Sequence, residues 1–557
     1  MAQLHFADLF ESVADAFAPA DALVHAGTGA ASIRVSWKGY DDAAARFASF
    51  LSDHGVATGA KVGLLLNNGP EYLIAQFGAF KQRAVPININ YRYLAREIAY
   101  VVDNADIDVL VFGESFAGRI AEVHAISPRV RAWVQVAETE SPSVGLSGAG
   151  SVVPAFALKW NTVLDGYSPA DRIERSPDDH YMLYTGGTTG MPKGVVFRMG
   201  DFVVRTFTGY FYRGWEVPTD AADVIVQARR RAQDGERRVS VVGCPLMHGT
   251  GMWLGAFYAH LMGGTTVTLA HRGFDPDLLW SVAAAERADA VTIVGDSFAV
   301  PMLSSLETAL AQGRPYDLST MRIIQSSGVM LSAETQRGLL RHLDVRIVDS
   351  MGSTEGGMAR RIASRSTPID TATFELVPGT KIVTDDGRFV QPGSGEIGRI
   401  AASAVVPLEY YKDPEKSAAT FVTIDGVRHA MAGDYATLTA DSRLVLLGRG
   451  SNCINTGGEK VFPEEVEESL KRHSMVTDAL VVGVDDVGGL GQRVCAVVSV
   501  SDPSVGPDDL RQHVRSDIAG YKVPKAVVIV DSIERSAAGK ADYRWAIKQF
   551  VSHGSDS

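Results

Sequence analysis

From residue 31 to about residue 350 the chain alternates short apolar runs with longer amphipathic ones, and this rhythm constrains its fold more than any other feature. KVGLLL (61–66) and AVPINI (84–89) read as strands around the helical EYLIAQFGAF (71–80). TVTLA (266–270), VTIVG (291–295), MRIIQSS (321–327) and VRIVDS (345–350) repeat the pattern, with helices expected over 275–289, 296–310 and about 332–343. Short runs that are apolar throughout suit strands covered on both faces, and the intervening amphipathic stretches supply the covering helices. The fold class is therefore α/β with parallel sheets. Asp275 and Pro276 give one of these helices a cap and a favourable first turn.

Residues 356 to 447 break the rhythm with Gly, Pro and short β-like runs such as RLVLLG (443–448), which implies a smaller β-rich subdomain. After GRGSN (448–452) a helix opens at Pro463, followed by strands ALVVGV (479–484) and VCAVVSV (494–500) and a helix over 508–519. The expected organisation is a large N-terminal domain, residues 1–448, of two helix-covered sheets plus that subdomain. A short hinge joins it to a small α+β C-terminal domain, 449–557. A chain of 557 residues is in any case too long for one core. SPSVGLSGAGS (141–151) reads as a solvent loop and the charge run ARRRAQDGERR (228–238) as an exposed insertion.

The formal charge of −12 gives no general affinity for nucleic acid or anionic membrane. Cys244, Cys453 and Cys495 are far apart and lack a CxxC pair, so they read as buried small hydrophobes, not as a zinc site or a disulfide framework. No apolar run approaches the roughly 18 to 20 residues that span a bilayer. The N-terminus MAQLHFADLFESVADAF reads as an amphipathic helix without signal-peptide character, and the expected compartment is the cytoplasm.

YTGGTTGMPKG (184–194) has the ingredients of a phosphate loop: glycines that let N–H groups converge, hydroxyls and a lysine. It fails the G-x-x-x-x-G-K-[ST] register, because Lys193 follows Pro192 and precedes Gly194. An ordinary P-loop NTPase is thereby disfavoured.

Together with PLMHGTGM (245–252), SSGVMLS (326–332), MGSTEGG (351–357), GDYA (433–436), GRGSNCINTGGEKVFPEEVE (448–467) and RSAAGK (535–540), this loop closely resembles the ordered signatures of the adenylate-forming superfamily. The likeness covers nearly the whole chain and points to its acyl-CoA synthetase and fatty-acid–CoA ligase branch, resembling actinobacterial steroid and fatty acyl-CoA ligases. It implies two steps. A carboxylic acid and ATP give acyl-AMP and pyrophosphate, then CoA displaces AMP. ATP, Mg²⁺ and CoA are the implied cofactor and co-substrates, and a homodimer is the implied assembly.

The resemblance assigns roles to particular residues. Thr185, Gly186, Gly187, Thr188, Thr189, Gly190 and Lys193 would cradle the β- and γ-phosphates, with Gly186 standing where Ser is usual. Glu355 would hold Mg²⁺ and Thr354 would donate to the α-phosphate. Ser326, Ser327 and Gly328, with Met351, Gly352 and Ser353, would form the adenine side, Met351 replacing a usual aromatic. Asp434 and Arg449 would take the ribose, although a structural ion pair is the rival reading for them. Lys540 would bridge the attacking carboxylate and the α-phosphate, and Lys460 would reach the adenylate phosphate. Ser451 falls at the hinge where Asp or Lys is usual, and Gly457, Gly458 and Glu459 would help form the CoA tunnel. His248 would gate the carboxylate at the mouth of an acyl pocket lined by Met252, Trp253 and Phe298. Medium- or long-chain and bulky acids, including steroid side-chain acids, are the implied substrates. Loading of a carrier protein, or a catalytically idle ligand-binding relative, are the alternatives.

Overall fold

Each predicted helix or strand needs a partner to cover its apolar face, and the computed structural model of the chain supplies those partners for residues 4–27, 32–138, 153–185, 191–271, 273–329, 331–367, 373–449, 454–456, 460–485, 492–518, 520–535 and 541–551. These divide into two compact units, residues 1–371 with 404–428 and residues 372–403 with 429–557. The Gly/Ser stretch 141–151 lies outside the described residues.

In the first unit the strands Arg346–Ser353, Ile323–Ser327, Ala290–Ile293, Val239–Val242, Thr265–Leu269 and Asp21–Ala26 lie side by side in that order. All five of these pairings are parallel. Antiparallel neighbours Gly356–Ala363 and Ile33–Ser36 flank the two ends of the run. A second sheet, Val85–Asn88, Lys61–Leu65, Ile107–Gly113, Ala132–Val136 and Leu158–Lys159, is parallel throughout. The strand Ile107–Gly113 is buried at every position, as expected for a strand covered on both faces. Helix Pro276–Ala285 starts as read, with the Asp275 carboxylate accepting the Leu278 N–H at 2.9 Å and Pro276 in the first turn.

The second unit carries an antiparallel sheet of Lys381–Val383, Gly398–Ala401, Asp434–Leu438, Leu444–Arg449 and Thr373–Leu376, the β-rich subdomain read from composition. Its α+β part packs helices Pro463–Lys471 and Pro507–Asp517 against the sheet Val476–Asp485, Gln492–Val500 and Ala526–Ile529 through Val466, Leu470, Val481, Val498, Leu510 and Val514. Cys495 and, in the first unit, Cys244 are buried, and burial pushes the Cys244 thiol up to about 12. Cys453 lies outside the described residues.

The charge run 228–238 is exposed through Arg229, Arg230 and residues 233–236, as read, but its ends are built into the fold. Its first half ends the helix Ala221–Gln233, which buries Val224, Gln227 and Ala228. Arg231 lies over the Trp215 ring at 4.3 Å, Arg237 donates to the Gly263 carbonyl, and Arg238 is buried with Nη2 donating to Gln325 Oε1 at 2.6 Å. Guanidinium groups stack on aromatic faces and reach carbonyls with their stems buried, so a basic stretch of sequence need not face water.

The N-terminal helix Phe6–Ala16 buries its aromatic face, with Phe10 against Phe77 at 4.1 Å and Phe6 against Phe257 at 4.5 Å. It also buries Glu11, which accepts from Lys81 at 2.6 Å and from Arg175 at 2.9 Å and 3.0 Å. Removing one charge from such a set leaves the others uncompensated. Glu11→Gln should therefore cost about 3 kcal/mol and lower the urea midpoint; an unchanged midpoint would mean that Asp8 and Asp41 neutralise the two cations unaided.

Candidate active site

The phosphate loop joins two antiparallel strands. His180–Thr185 and Lys193–Arg198 set Thr185 opposite Lys193 and Tyr184 opposite Gly194. A Cβ on Gly194 would stand 2.7 Å from the Met182 sulfur and from the Tyr184 ring, so packing alone demands glycine after the lysine. Gly186, Gly187, Thr188, Thr189 and Gly190 lie outside the described residues, as do Ser451, Gly457, Gly458, Glu459 and Lys540.

Glu355 stands in the tight turn between Arg346–Ser353 and Gly356–Ala363, where Ser353 pairs with Gly356. It is 6% exposed, and Tyr410 Oη donates to its Oε1 at 2.7 Å. Lys193 Nζ lies 3.9 Å from the same oxygen and 3.8 Å from the centre of the Tyr410 ring. Tyr410 is delivered by the short strand Glu409–Tyr410, which pairs with Lys193–Arg198 so that Tyr410 faces Val195. Burial pushes the Glu355 carboxyl up, but the Tyr410 hydroxyl, a backbone donor, Lys193 and Ser353 together outweigh it, and its pKa ends below the usual carboxylate value. The group is thus ionised at neutral pH. A buried carboxylate with a lysine just beyond hydrogen-bond range fits a divalent cation that brings its own phosphate and water ligands. Among the described residues no group of three His, Cys, Asp or Glu side chains converges, so Glu355 is the carboxylate these residues offer to such a shell.

The adenine-side residues divide. Ser326 is fully buried and its hydroxyl accepts the Gly295 N–H at 3.0 Å, which engages it inside the sheet. Ser327 and Gly328 are accessible, Gly328 at φ 94°, and Thr250 Oγ1 lies 3.5 Å from the Ser327 carbonyl. Met351 is half-buried opposite Ala359, next to a register shift ahead of Gly352. Gly352 is exposed, whereas Ser353 and Thr354 are half-buried beside Glu355. In the second unit Asp434 and Arg449 hold directly opposed backbone positions, and Lys460 opens the strand Lys460–Val461.

The segment carrying His248 is held by two asparagines that motif reading passed over. Asn68 Nδ2 donates to the Cys244 carbonyl at 3.0 Å and its Oδ1 accepts the Leu246 N–H at 2.7 Å. Asn88 Nδ2 donates to the Met247 carbonyl at 2.7 Å and to the Tyr184 carbonyl at 2.8 Å, and its Oδ1 accepts the Tyr184 N–H at 2.7 Å. One side chain therefore ties the stem of the phosphate loop to the acyl motif. The available signal was an asparagine closing an apolar strand in LLLNN and again in PININ, a polar group where a strand end needs fastening. After His248, which is half-buried, residues Thr250–Phe257 form a widened π-helix, a form frequent at functional sites. Gly251 is obligatory there, since a Cβ would lie 2.4 Å from the Pro245 carbonyl oxygen. Met252 and Trp253 are buried, with Trp253 Nε1 donating to Tyr181 Oη at 2.8 Å, and Phe298 packs on Phe274 at 4.4 Å.

Comparison with known proteins agrees with this geometry. The family described as AMP-binding enzyme matches residues 10–404, and the AMP-binding enzyme C-terminal domain matches residues 465–540. A 3-oxocholest-4-en-26-oate–CoA ligase of Rhodococcus rhodochrous is 38% identical over 98% of this chain and 96% of its own. A medium/long-chain-fatty-acid–CoA and 3-oxocholest-4-en-26-oate–CoA ligase of Mycobacterium tuberculosis is 37% identical over 99% of this chain and 97% of its own. Among solved structures, an anthranilate CoA ligase in complex with anthranoyl-AMP shares the fold at TM-score 0.79 and 20% identity, covering 98% of this chain and 97% of that one. A benzoate CoA ligase from Burkholderia xenovorans shares it at TM-score 0.75 and 21% identity, covering 98% and 99%. The chain belongs to the AMP-binding enzyme family, as an acid–thiol ligase of its AMP-forming acyl-CoA synthetase class. Its co-substrates are ATP and CoA, and among the described residues no helix is long and apolar enough to cross a membrane.

Tyr410→Phe removes the largest downward influence on the Glu355 carboxyl, so its pKa rises. The acid limb of the ATP–pyrophosphate exchange profile should then move toward neutral pH, with activity at pH 8 less affected than at pH 6. An unmoved limb would mean that Tyr410 does not control the charge of Glu355.

Proposed function

We propose that the acid activated by this chain is a medium- or long-chain fatty acid or a bulky ring acid, as the names of its full-length relatives suggest, and that the sequence-assigned residues act in the first half-reaction. The observation that carries the reading is the buried, ionised Glu355 beside Lys193, the lysine that closes the phosphate loop. Such a pair offers one cation to polyphosphate oxygens and one carboxylate to Mg²⁺, which when bound would neutralise phosphate charge. The remaining contribution of the protein is positioning and electrostatics. Thr185, Thr188 and Thr189, with Gly186, Gly187 and Gly190, add donors around the departing pyrophosphate, and Gly186 costs one hydroxyl, which weakens ATP binding modestly. Thr354 donates to the α-phosphate, while Met351, Ser327, Gly328, Gly352 and Ser353 border adenine and the buried Ser326 supports them from within the sheet. Asp434 accepts from the ribose hydroxyls with Arg449 beside it, and Lys460 reaches the adenylate phosphate.

His248 controls entry of the carboxylate to a pocket bounded by Met252, Trp253 and Phe298. Lys540 stabilises the in-line attack of that carboxylate on the α-phosphate as a compact cation. A C-terminal domain from residue 449 then pivots at Ser451, replacing Lys540 with Gly457, Gly458 and Glu459, which border the pantetheine arm. We also propose a cytoplasmic homodimer, tested by light scattering of the purified chain and by cell fractionation.

A carboxylic-acid panel assayed with ATP and CoA should give AMP and acyl-CoA with medium, long or bulky acids and little product with acetate. A strict requirement for a carrier protein in place of CoA would overturn the assignment of acceptor. Lys540→Ala should abolish adenylation yet leave thioester formation from supplied acyl-AMP within about threefold of wild type. Equal loss of both half-reactions would contradict the two-position scheme.

A further inference from the structure

Arg205 sits on the helix Met199–Thr206 with its guanidinium 4.8 Å from the centre of the Trp253 ring and 5.7 Å from that of Phe197. Its Nη1 is fully enclosed and has no hydrogen-bond partner among the described residues. Arg213 and Arg238 of the same unit also enclose one nitrogen without a partner, but each holds an acceptor through another nitrogen, Arg213 on Asp289 and Arg238 on Gln325, as Arg175 does on Glu11. Around Arg205 the main electrostatic neighbours are the phenols Tyr258, Tyr212 and Tyr181 and one carboxylate, Glu355, which already accepts from Tyr410. Burial lowers its pKa, and the aromatic faces offer it only cation–π attraction. An enclosed N–H without an acceptor costs about 1–3 kcal/mol, which makes it a place where a ligand atom is missing.

The surroundings identify that ligand. Trp253 directly follows the acyl motif, and the adjacent Leu254 packs with Tyr212 and Tyr258 in one cluster. Leu254, Ser350 and Arg205 all keep part of their surface accessible, and Tyr212 Oη reaches Ser350 Oγ at 3.5 Å. Arg205 thus keeps an accessible edge next to the acyl motif, although Nη1 itself is enclosed. Pairing it with the reacting carboxylate would stabilise the ground state more than the transition state, in which that carboxylate loses its charge, and would oppose the reaction. A neutral oxygen elsewhere on the acid satisfies the N–H without that penalty.

We propose that Arg205 is a specificity-determining residue that donates a hydrogen bond to a carbonyl or hydroxyl oxygen borne by the hydrocarbon part of the acyl substrate. This inference rests on the acyl-CoA synthetase reading and narrows its substrate class to oxygen-bearing acids. A site built around a donor discriminates strongly against an analogue that leaves the donor unpaired.

The test is acid-dependent ATP–pyrophosphate exchange by the full chain, comparing dodecanoate with oxododecanoates whose carbonyl is moved stepwise along the chain. Wild type should prefer the best-placed oxo-acid by at least about tenfold in kcat/KM. In Arg205→Met that preference should fall to within about twofold, while kcat/KM for dodecanoate changes by less than about threefold. Arg205→Lys, which keeps a donor, should retain part of the preference, and it carries the test if the Met variant fails to fold in a thermal melt. A preference that survives in Arg205→Met, no preference at any carbonyl position in wild type, or an equal loss for both acids would overturn the assignment. Absence of exchange with every acid in wild type would instead overturn the ligase reading itself.

Discussion

A carboxylate taken out of water has to be compensated, and the region around Glu355 is organised by that requirement. Three separate stretches meet to satisfy it: the hairpin that carries Glu355, the strand that begins with Lys193, and the short strand that presents Tyr410. The Tyr410 ring serves twice, donating from its hydroxyl to the carboxylate and offering its face to the lysine cation. The result is a fixed negative charge beside a positive one at the base of a glycine-rich loop. That pair is suited to polyphosphate chemistry, because it needs no reorganisation when charge develops nearby.

Around this pair the parallel sheets do the positioning. Strand Ile323–Ser327 ends with Ser327 opposite Ser350, three residues before the end of Arg346–Ser353, so the adenine-side segments emerge at one edge. The Asn88 side chain fastens the phosphate-loop stem to the Met247 carbonyl, which places the acyl motif and the phosphate loop at a set distance. An adenylating enzyme needs that distance held, since the acid must meet the α-phosphate in line.

The sequence was most legible where a feature is local and periodic. The strands Lys61–Leu65 and Thr265–Leu269 and the helix capped by Asp275 follow from runs and caps visible within a dozen residues. Motif order led to Lys193 and Glu355, which the fold does bring together. Tyr410 and Arg205 were illegible for one shared reason: each acts on partners far along the chain, Glu355 and Trp253, and carries no local signature, whereas Asn88 offered only its place at a strand end and no sign of its distant partner Met247. The charge run 228–238 was legible in its exposed middle but not at Arg231, Arg237 and Arg238, because composition reports polarity and not the aromatic and carbonyl partners that permit burial. Ser326 shows the converse, a motif residue whose hydroxyl is engaged by a backbone N–H within the sheet.

The central claim, that this chain activates a carboxylic acid by joining it to the α-phosphate of ATP, is tested most directly by following oxygen. A substrate acid labelled with ¹⁸O in both carboxylate positions, turned over with ATP and CoA, should transfer one labelled oxygen to AMP, detected by mass spectrometry. Unlabelled AMP, or label appearing in pyrophosphate or inorganic phosphate, would contradict it.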